Sequence, residues 1–273
     1  MPSEKNFSSE NEDELSEDYL IPYTSRLMAY YRSLEMKKTT PLINDPYAER
    51  LAGDMSDYIS QHPHFSRMDY PIVRAAYVEE QLLIPWLTNY PAGQIILLGA
   101  GLDTKVYRLE VLQKSHTFFE IDLPKVIRYK EIVLKEATPN CKLYHIASDL
   151  GSKNWFRKLL QTGFSQNKPT FWSIEGLAYY LKKKTFESIM EKISSLNSSN
   201  NELFVDLCIP AYAELNFGTF TKNFQWGIKI ADIHAYFEKF NWDIECNYAD
   251  TFDQGRDVGQ RGLIFVHAFR ESK

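Results

Sequence analysis

The stretch QIILLGAGLDTKVYRL, residues 94–109, constrains this chain more than any other. Ile95 to Leu98 form an unbroken apolar run, the pattern of a strand buried on both faces as in a parallel sheet. The run ends in Gly99-Ala100-Gly101, where two glycines permit a tight turn and let a ligand approach the backbone. A second run, TFFEID (117–122), ends in Asp122, about 20 residues beyond Gly101, where an acid can take the hydroxyls of a nucleoside ribose. The plain alternative for Asp122 is a strand-terminal acid in solvent. Together the two runs predict a nucleoside-binding βαβ unit.

The residues around the turn narrow the nucleoside. A dinucleotide site uses a third glycine beside the pyrophosphate, and here that position is Thr104. Asp103 puts a carboxylate where phosphates would sit, which repels a pyrophosphate but suits a ligand that carries an ammonium group. S-adenosylmethionine has an ammonium, a sulfonium and no phosphate. Asp103 serves equally as a helix N-cap.

Composition bounds the rest. A chain of 273 residues with 44% hydrophobic content buries a full core, as one large α/β domain or a domain with a cap. A net charge of −5 argues against a nucleic-acid partner, which needs a basic face. Cys141, Cys208 and Cys246 are dispersed, which fits reduced thiols in a cytoplasmic protein. No apolar stretch approaches the roughly 20 residues of a membrane span, and the N-terminus is acidic and polar, unlike a signal peptide. The expectation is a soluble cytoplasmic protein with no membrane partner. His62 and His64 lie two apart without a further ligand at metal spacing, so no metal is expected. The chain contains 17 Tyr, 17 Phe and 5 Trp, enough to line a pocket as well as fill a core.

In chain order, residues 1–18 read as a disordered acidic tail and 19–90 as a helical cap. In the cap, Asp45-Pro46 read as an N-cap followed by proline at the first helical position. From 91 to 273 strand and helix alternate, with strands expected at 94–99, 117–122, 142–147, 169–174 and 202–209. Helices are expected near 103–113, 124–137, 152–162 and 183–196. This alternation argues an α/β fold with a parallel sheet and right-handed crossovers. A helix over 231–241 and two final strands follow. The aromatic loop 210–227 reads as a pocket wall or lid.

The segments RSLEMKKTTPLINDPYAERL, IVRAAYVEEQL, LLGAGLDTKVYRL, FFEIDLPKVIRYK, ASDL and PTFWSIEGLAYYL together resemble the leucine carboxyl methyltransferase family, which also contains bacterial polyketide-type O-methyltransferases. They run over most of the chain, and the shortness of the chain brings it nearer the bacterial small-molecule branch. The resemblance implies a Rossmann-like class I methyltransferase. Its mostly parallel seven-stranded sheet would have the last strand antiparallel and carry an N-terminal helical cap. It also implies S-adenosylmethionine as cofactor. Gly99, Ala100 and Gly101 would lie under the methionine part, with Asp122 and Leu123 at the ribose. Asp149 and Leu150 would hold the adenine, and Glu175 would complete the cofactor site. Arg74, in the cap, would grip the methionine carboxylate, as a planar guanidinium does well; a surface salt bridge is the plain reading. Arg32 is a further contact from the cap, and Arg108 braces the loop.

The implied reaction is methyl transfer to a carboxylate or phenolic oxygen, probing alignment and exclusion of water more than acid–base chemistry. A carboxylate needs no general base; a phenol is helped by one. Tyr179, Tyr180 and His234 are the candidates for that role. The acceptor is expected to be a small molecule. Two other readings stay open: a cofactor-binding but catalytically degenerate interaction protein, and an NAD(P)-dependent reductase.

Overall fold

The computed structural model describes residues 23–196, 200–214, 223–259 and 261–270. The acidic tail, the first residues of the expected cap and residues 215–222 of the expected lid lie outside them. Seven strands form one sheet: β1 (Gln94–Leu98), β2 (Thr117–Asp122), β3 (Lys142–Ala147), β4 (Thr170–Ile174), β5 (Glu202–Cys208), β6 (Asp243–Tyr248) and β7 (Leu263–Phe269). Their order is β3-β2-β1-β4-β5-β7-β6, with β1 to β5 parallel and β7 antiparallel to both its neighbours. The chain leaves β1 toward β3 and then crosses to β4, so the strand order reverses between β1 and β4. Open α/β sheets bind ligands outside the carboxyl ends of the strands at such a reversal.

The apolar strand runs are explained by burial on both faces. Ile95, Leu97, Phe118, Phe171 and Phe204 join one core, while Ile96, Leu98, Phe119, Trp172 and Val205 join the other. Each such side chain contributes about 1.5–3 kcal/mol when fully buried. The first core is covered by α4 (Tyr70–Tyr77), α5 (Ile84–Asn89), α6 (Lys105–Arg108) and α7 (Pro124–Val133). The second is covered by α8 (Asn154–Gln161), α9 (Lys183–Ser194) and α11 (Ile233–Glu238). Trp86 packs on Phe171 with ring centroids 5.7 Å apart, and Tyr77 on Phe265 at 5.0 Å. Residues expected to form a cap therefore also cover the sheet. The remaining helices are α1 (Tyr23–Glu35), α2 (Ala48–Ala52), α3 (Ser56–Gln61) and α10 (Pro210–Glu214).

Two local expectations are corrected. The helix expected over 103–113 is only the four residues of α6, because Leu109 turns extended (φ −78°, ψ 108°) and its carbonyl accepts from the Leu112 N–H and the Asn140 side chain. Asp45-Pro46 does not open α2, which starts at Ala48. Asp45 takes the Tyr47 N–H, but it is fully buried and also holds Arg32 and the Thr104 hydroxyl. Between α4 and α5 the helix widens into a π-turn over Val78–Leu83. Pro85 lacks the N–H that an α-helix would use there, and the turn carries buried Glu79.

Candidate functional site

The turn after β1 depends on its glycines. Gly99 and Gly101 have φ of +73° and +53°, and a Cβ on Gly99 would stand 2.7 Å from Leu177 Cδ2. Asp122, at the end of the neighbouring β2, fastens this turn. Its Oδ2 accepts the Gly101 N–H at 2.6 Å and its Oδ1 the Leu123 N–H at 2.6 Å. Burial outweighs these donors and raises the pKa of Asp122 above the usual carboxylate value.

The turn forms the floor of a cavity of about 630 Å³, within the range of roughly 300–1,000 Å³ typical of ligand pockets. Its walls bring together Arg74, Gly99, Ala100, Gly101, Asp103, Asp122, Leu123, Asp149, Leu150 and Glu175, with Arg32, Arg108, Tyr179 and Tyr180. Every cofactor residue expected from the sequence thus faces one space. Asp122 ends β2 and Asp149 stands past β3; Glu175, Tyr179 and Tyr180 stand past β4. The lining thus reaches across three strand spacings, roughly 14 Å from β3 to β4, with aromatics Tyr58, Phe65, Tyr70, Tyr179 and Tyr180 among it. Of the described lid residues, Asn223 lines it, and Phe224 packs on Tyr179 at 4.2 Å.

His234 does not belong to this constellation. It is exposed on α11 and does not line the cavity. Tyr179 lines it, but its hydroxyl donates to Asp206 at 3.2 Å. Burial, reinforced by the charge of Asp206, raises its pKa well above the usual tyrosine value, and burial likewise raises that of Tyr180.

Two charged residues that sequence reasoning passed over hold the expected ones in place. Lys105, 1% exposed, donates to Asp103 Oδ2 at 2.7 Å and to Glu175 Oε1 at 2.8 Å, tying the β1 turn to the end of β4. Asp103 also accepts the Lys105 N–H at 2.8 Å. Burial lifts the pKa of Asp103, but the charge of Lys105 outweighs it and holds the carboxyl well below its ordinary value. Asp206, fully buried in β5, accepts from Arg74 Nη1 at 2.8 Å. Arg74 is therefore no surface salt bridge. The signal for both was a charge inside or beside an apolar run, ELFVDLC for Asp206 and GLDTKVY for Lys105.

The donor set fits a zwitterionic cation better than a phosphate. Four carboxylates (Asp103, Asp122, Asp149 and Glu175) line the cavity against three guanidiniums. Arg32 is committed to Asp45 and the Leu102 carbonyl, and Arg108 to Glu79 and Thr104. Arg74 keeps a buried Nε–H without a hydrogen-bond partner, 3.8 Å from Glu175 Oε2. A buried, unpartnered donor on a cavity wall suits a ligand carboxylate. Among the described residues no group of His, Cys, Asp and Glu is placed to hold a metal; His62 stacks on Tyr58 with centroids 4.5 Å apart.

The sequence profile of the leucine carboxyl methyltransferases matches residues 25–194. A provisionally named S-adenosyl-L-methionine-dependent methyltransferase of Mycobacterium avium (strain 104) is 30% identical over 210 residues, 73% of this chain and 69% of that one. The crystal structure of a DUF574 family protein from Streptomyces avermitilis MA-4680 superposes with a TM-score of 0.60 at 13% identity, covering 93% of this chain and 99% of that one. Magnesium protoporphyrin IX methyltransferase from Synechocystis PCC 6803, solved with bound SAH, superposes at 0.50 with 12% identity, covering 91% and 100%. At these identities the two structures share the fold.

Proposed function

Taking as premise that this chain belongs to the leucine carboxyl methyltransferase family, we propose that it methylates a carboxylate oxygen of a small molecule. It is an S-adenosylmethionine-dependent methyltransferase with a class I fold. When bound, S-adenosylmethionine supplies a methyl group already activated on a sulfonium.

In this reading Asp122 takes the ribose hydroxyls, and Asp149 with Leu150 holds the adenine. Arg74 grips the methionine carboxylate through its unpartnered Nε–H, and Glu175 and Asp103 offer carboxylate oxygens to the ammonium. Gly99 to Gly101 let the backbone come close. The aromatic walls past β4 enclose the acceptor and exclude water, so that alignment supplies most of the rate.

One observation carries the choice of acceptor: all six histidines and all three cysteines of the chain lie outside the cavity lining. The neighbouring Tyr179 donates its hydroxyl hydrogen bond to Asp206, and its raised pKa keeps it a neutral phenol, a poor base at neutral pH. Asp103 is held ionised by Lys105 and is a weak base. A site of this kind suits an acceptor that arrives ionised, which a carboxylate does and a phenol does not.

The first experiment is calorimetric titration with S-adenosylmethionine, with NADH as control, followed by transfer of labelled methyl to panels of carboxylic acids and phenols. Saturable binding of S-adenosylmethionine alone is expected, then label that base releases as methanol, as a methyl ester requires. Transfer confined to phenols, stable to base and rising with pH, would overturn the carboxylate assignment. NADH binding in place of S-adenosylmethionine would revive the reductase.

A further inference from the structure

We infer that Asp206 is a positioning residue that fixes the Arg74 guanidinium for the carboxylate of the cofactor and joins that grip to the wall of the acceptor end. The inference rests on the reading of Arg74 given above.

Asp206 does not line the cavity. It is 0% exposed in the middle of β5, between Val205 and Leu207 of the second core. An ionised carboxylate there is costly unless every oxygen is met, and the meeting groups come from two separate segments, α4 and the turn after β4. Arg74 Nη1 and the Tyr70 hydroxyl, both on α4, donate to Oδ2 at 2.8 and 2.6 Å. The Tyr179 hydroxyl, from the turn after β4, donates to the same oxygen at 3.2 Å. The Gly176 N–H, next to Glu175, donates to Oδ1 at 2.6 Å. Four donors nearly exhaust what a carboxylate accepts.

The consequence for Arg74 follows from the shape of a guanidinium, which is planar and rigid. Holding Nη1 sets the plane and leaves the opposite edge, which carries Nε, for another carboxylate. Gly176 completes the clamp, since a Cβ there would stand 2.7 Å from Arg74 Nη1 and push the guanidinium out of place. Glu175 does not take the spare edge: its Oε2 is 3.8 Å from Nε, beyond hydrogen-bond distance. Asp206 therefore uses one edge of Arg74 and presents the other. Asp206 also takes the hydroxyl hydrogens of Tyr70 and Tyr179, two residues of the cavity wall.

The test compares two ligands that differ in the group Arg74 would hold. S-adenosylmethionine carries the amino-acid moiety; 5′-methylthioadenosine has the same nucleoside without it. For the full chain with Asp206→Asn, calorimetry should show about a tenfold or greater loss of S-adenosylmethionine affinity, the scale of a hydrogen bond to a charged group. Affinity for 5′-methylthioadenosine should stay within about twofold. Equal losses for both ligands would make Asp206 a structural residue only, and unchanged affinity for both would remove it from the site; either overturns the inference. If the unaltered protein binds neither ligand, the cofactor assignment of the cavity falls first. Should Asp206→Asn alone not fold, the double variant Arg74→Gln/Asp206→Asn replaces both charges by amides. It should lose no more S-adenosylmethionine affinity than Arg74→Gln alone, and a further loss would show Asp206 acting independently of Arg74.

Discussion

Two clusters of buried charge lie against the same sheet and differ in what they face. In one, Asp206, Arg74, Glu175, Lys105 and Asp103 gather at the carboxyl ends of β1, β4 and β5, and three of the five line the cavity. In the other, Lys130 of α7 donates to Glu120 of β2 at 2.6 Å, both side chains 0% exposed, and His145 of β3 stands 3.3 Å from the same oxygen. None of these three lines the cavity. Both clusters contain polar atoms without a hydrogen-bond partner, Arg74 Nε in the first and Glu120 Oε1 and His145 Nε2 in the second. Arg74 is a residue of the cavity wall, so its guanidinium borders a space that a ligand can enter. Glu120 Oε1 is sealed between strand and helix and remains a cost of the fold. Buried charge therefore marks a binding site only where it borders a space.

The largest effect expected from breaking this contrast is on stability. Lys130→Met leaves Glu120 buried without its counter-ion, and removing one partner of such a pair costs about 3–5 kcal/mol. Denaturant unfolding should show that loss, while the folded protein binds S-adenosylmethionine within about twofold of normal. Adding Glu120→Gln should restore much of the stability. A large loss of affinity in folded Lys130→Met would mean that the second cluster also serves the site.

Asp122→Ala probes the cavity side with a smaller effect. S-adenosylmethionine affinity should fall by about 1.5–3 kcal/mol, the range for hydrogen bonds to a charged group. Unchanged affinity by calorimetry would sink the ribose assignment and reduce Asp122 to the fastener of the Gly101 turn.

The fold was legible because burial on both faces leaves unbroken apolar runs. TFFEID and PTFWSI read as strands that end at Asp122 and Ile174, where β2 and β4 end. The wall of the cavity was legible for a related reason, since Gly99, Asp122, Asp149 and Glu175 follow strand ends and the topology carries such ends to one place. The supports behind that wall were not. Arg74 and Asp206 are 132 positions apart, and a sequence displays a charge without displaying its partner. Asp206 stood inside an apolar strand and was read past as a member of it. Lys105 and Lys130 stand in stretches expected to be helical, where nothing in the sequence shows that both are buried against carboxylates. The helix expected over 103–113 failed because the apolar spacing of VYRLEVL persists after the backbone has turned extended at Leu109, a turn that tertiary packing imposes.

The smallest effect, and the sharpest separation of the two clusters, concerns pH. Burial lowers the pKa of His145, but the carboxylate of Glu120 3.3 Å away, with help from the hydrogen bond to Glu131, outweighs both burial and the opposing charge of Lys130, and the net shift is upward from 6.5. A histidine whose folded pKa is raised binds its proton more tightly in the fold than in the unfolded chain. Its contribution to stability is complete below pH 6.5 and is lost as pH rises through the higher folded value. Unfolding free energies should therefore fall across that window in the unaltered protein, and His145→Gln should flatten the fall. The affinity for S-adenosylmethionine over the same window should be the same in both proteins, because His145 faces Glu120 and Glu131 and not the cavity. If the pH dependence of affinity changed with His145→Gln while that of stability did not, the two clusters would be one electrostatic unit, and the distinction between sealed and cavity-facing charge would fail for this protein.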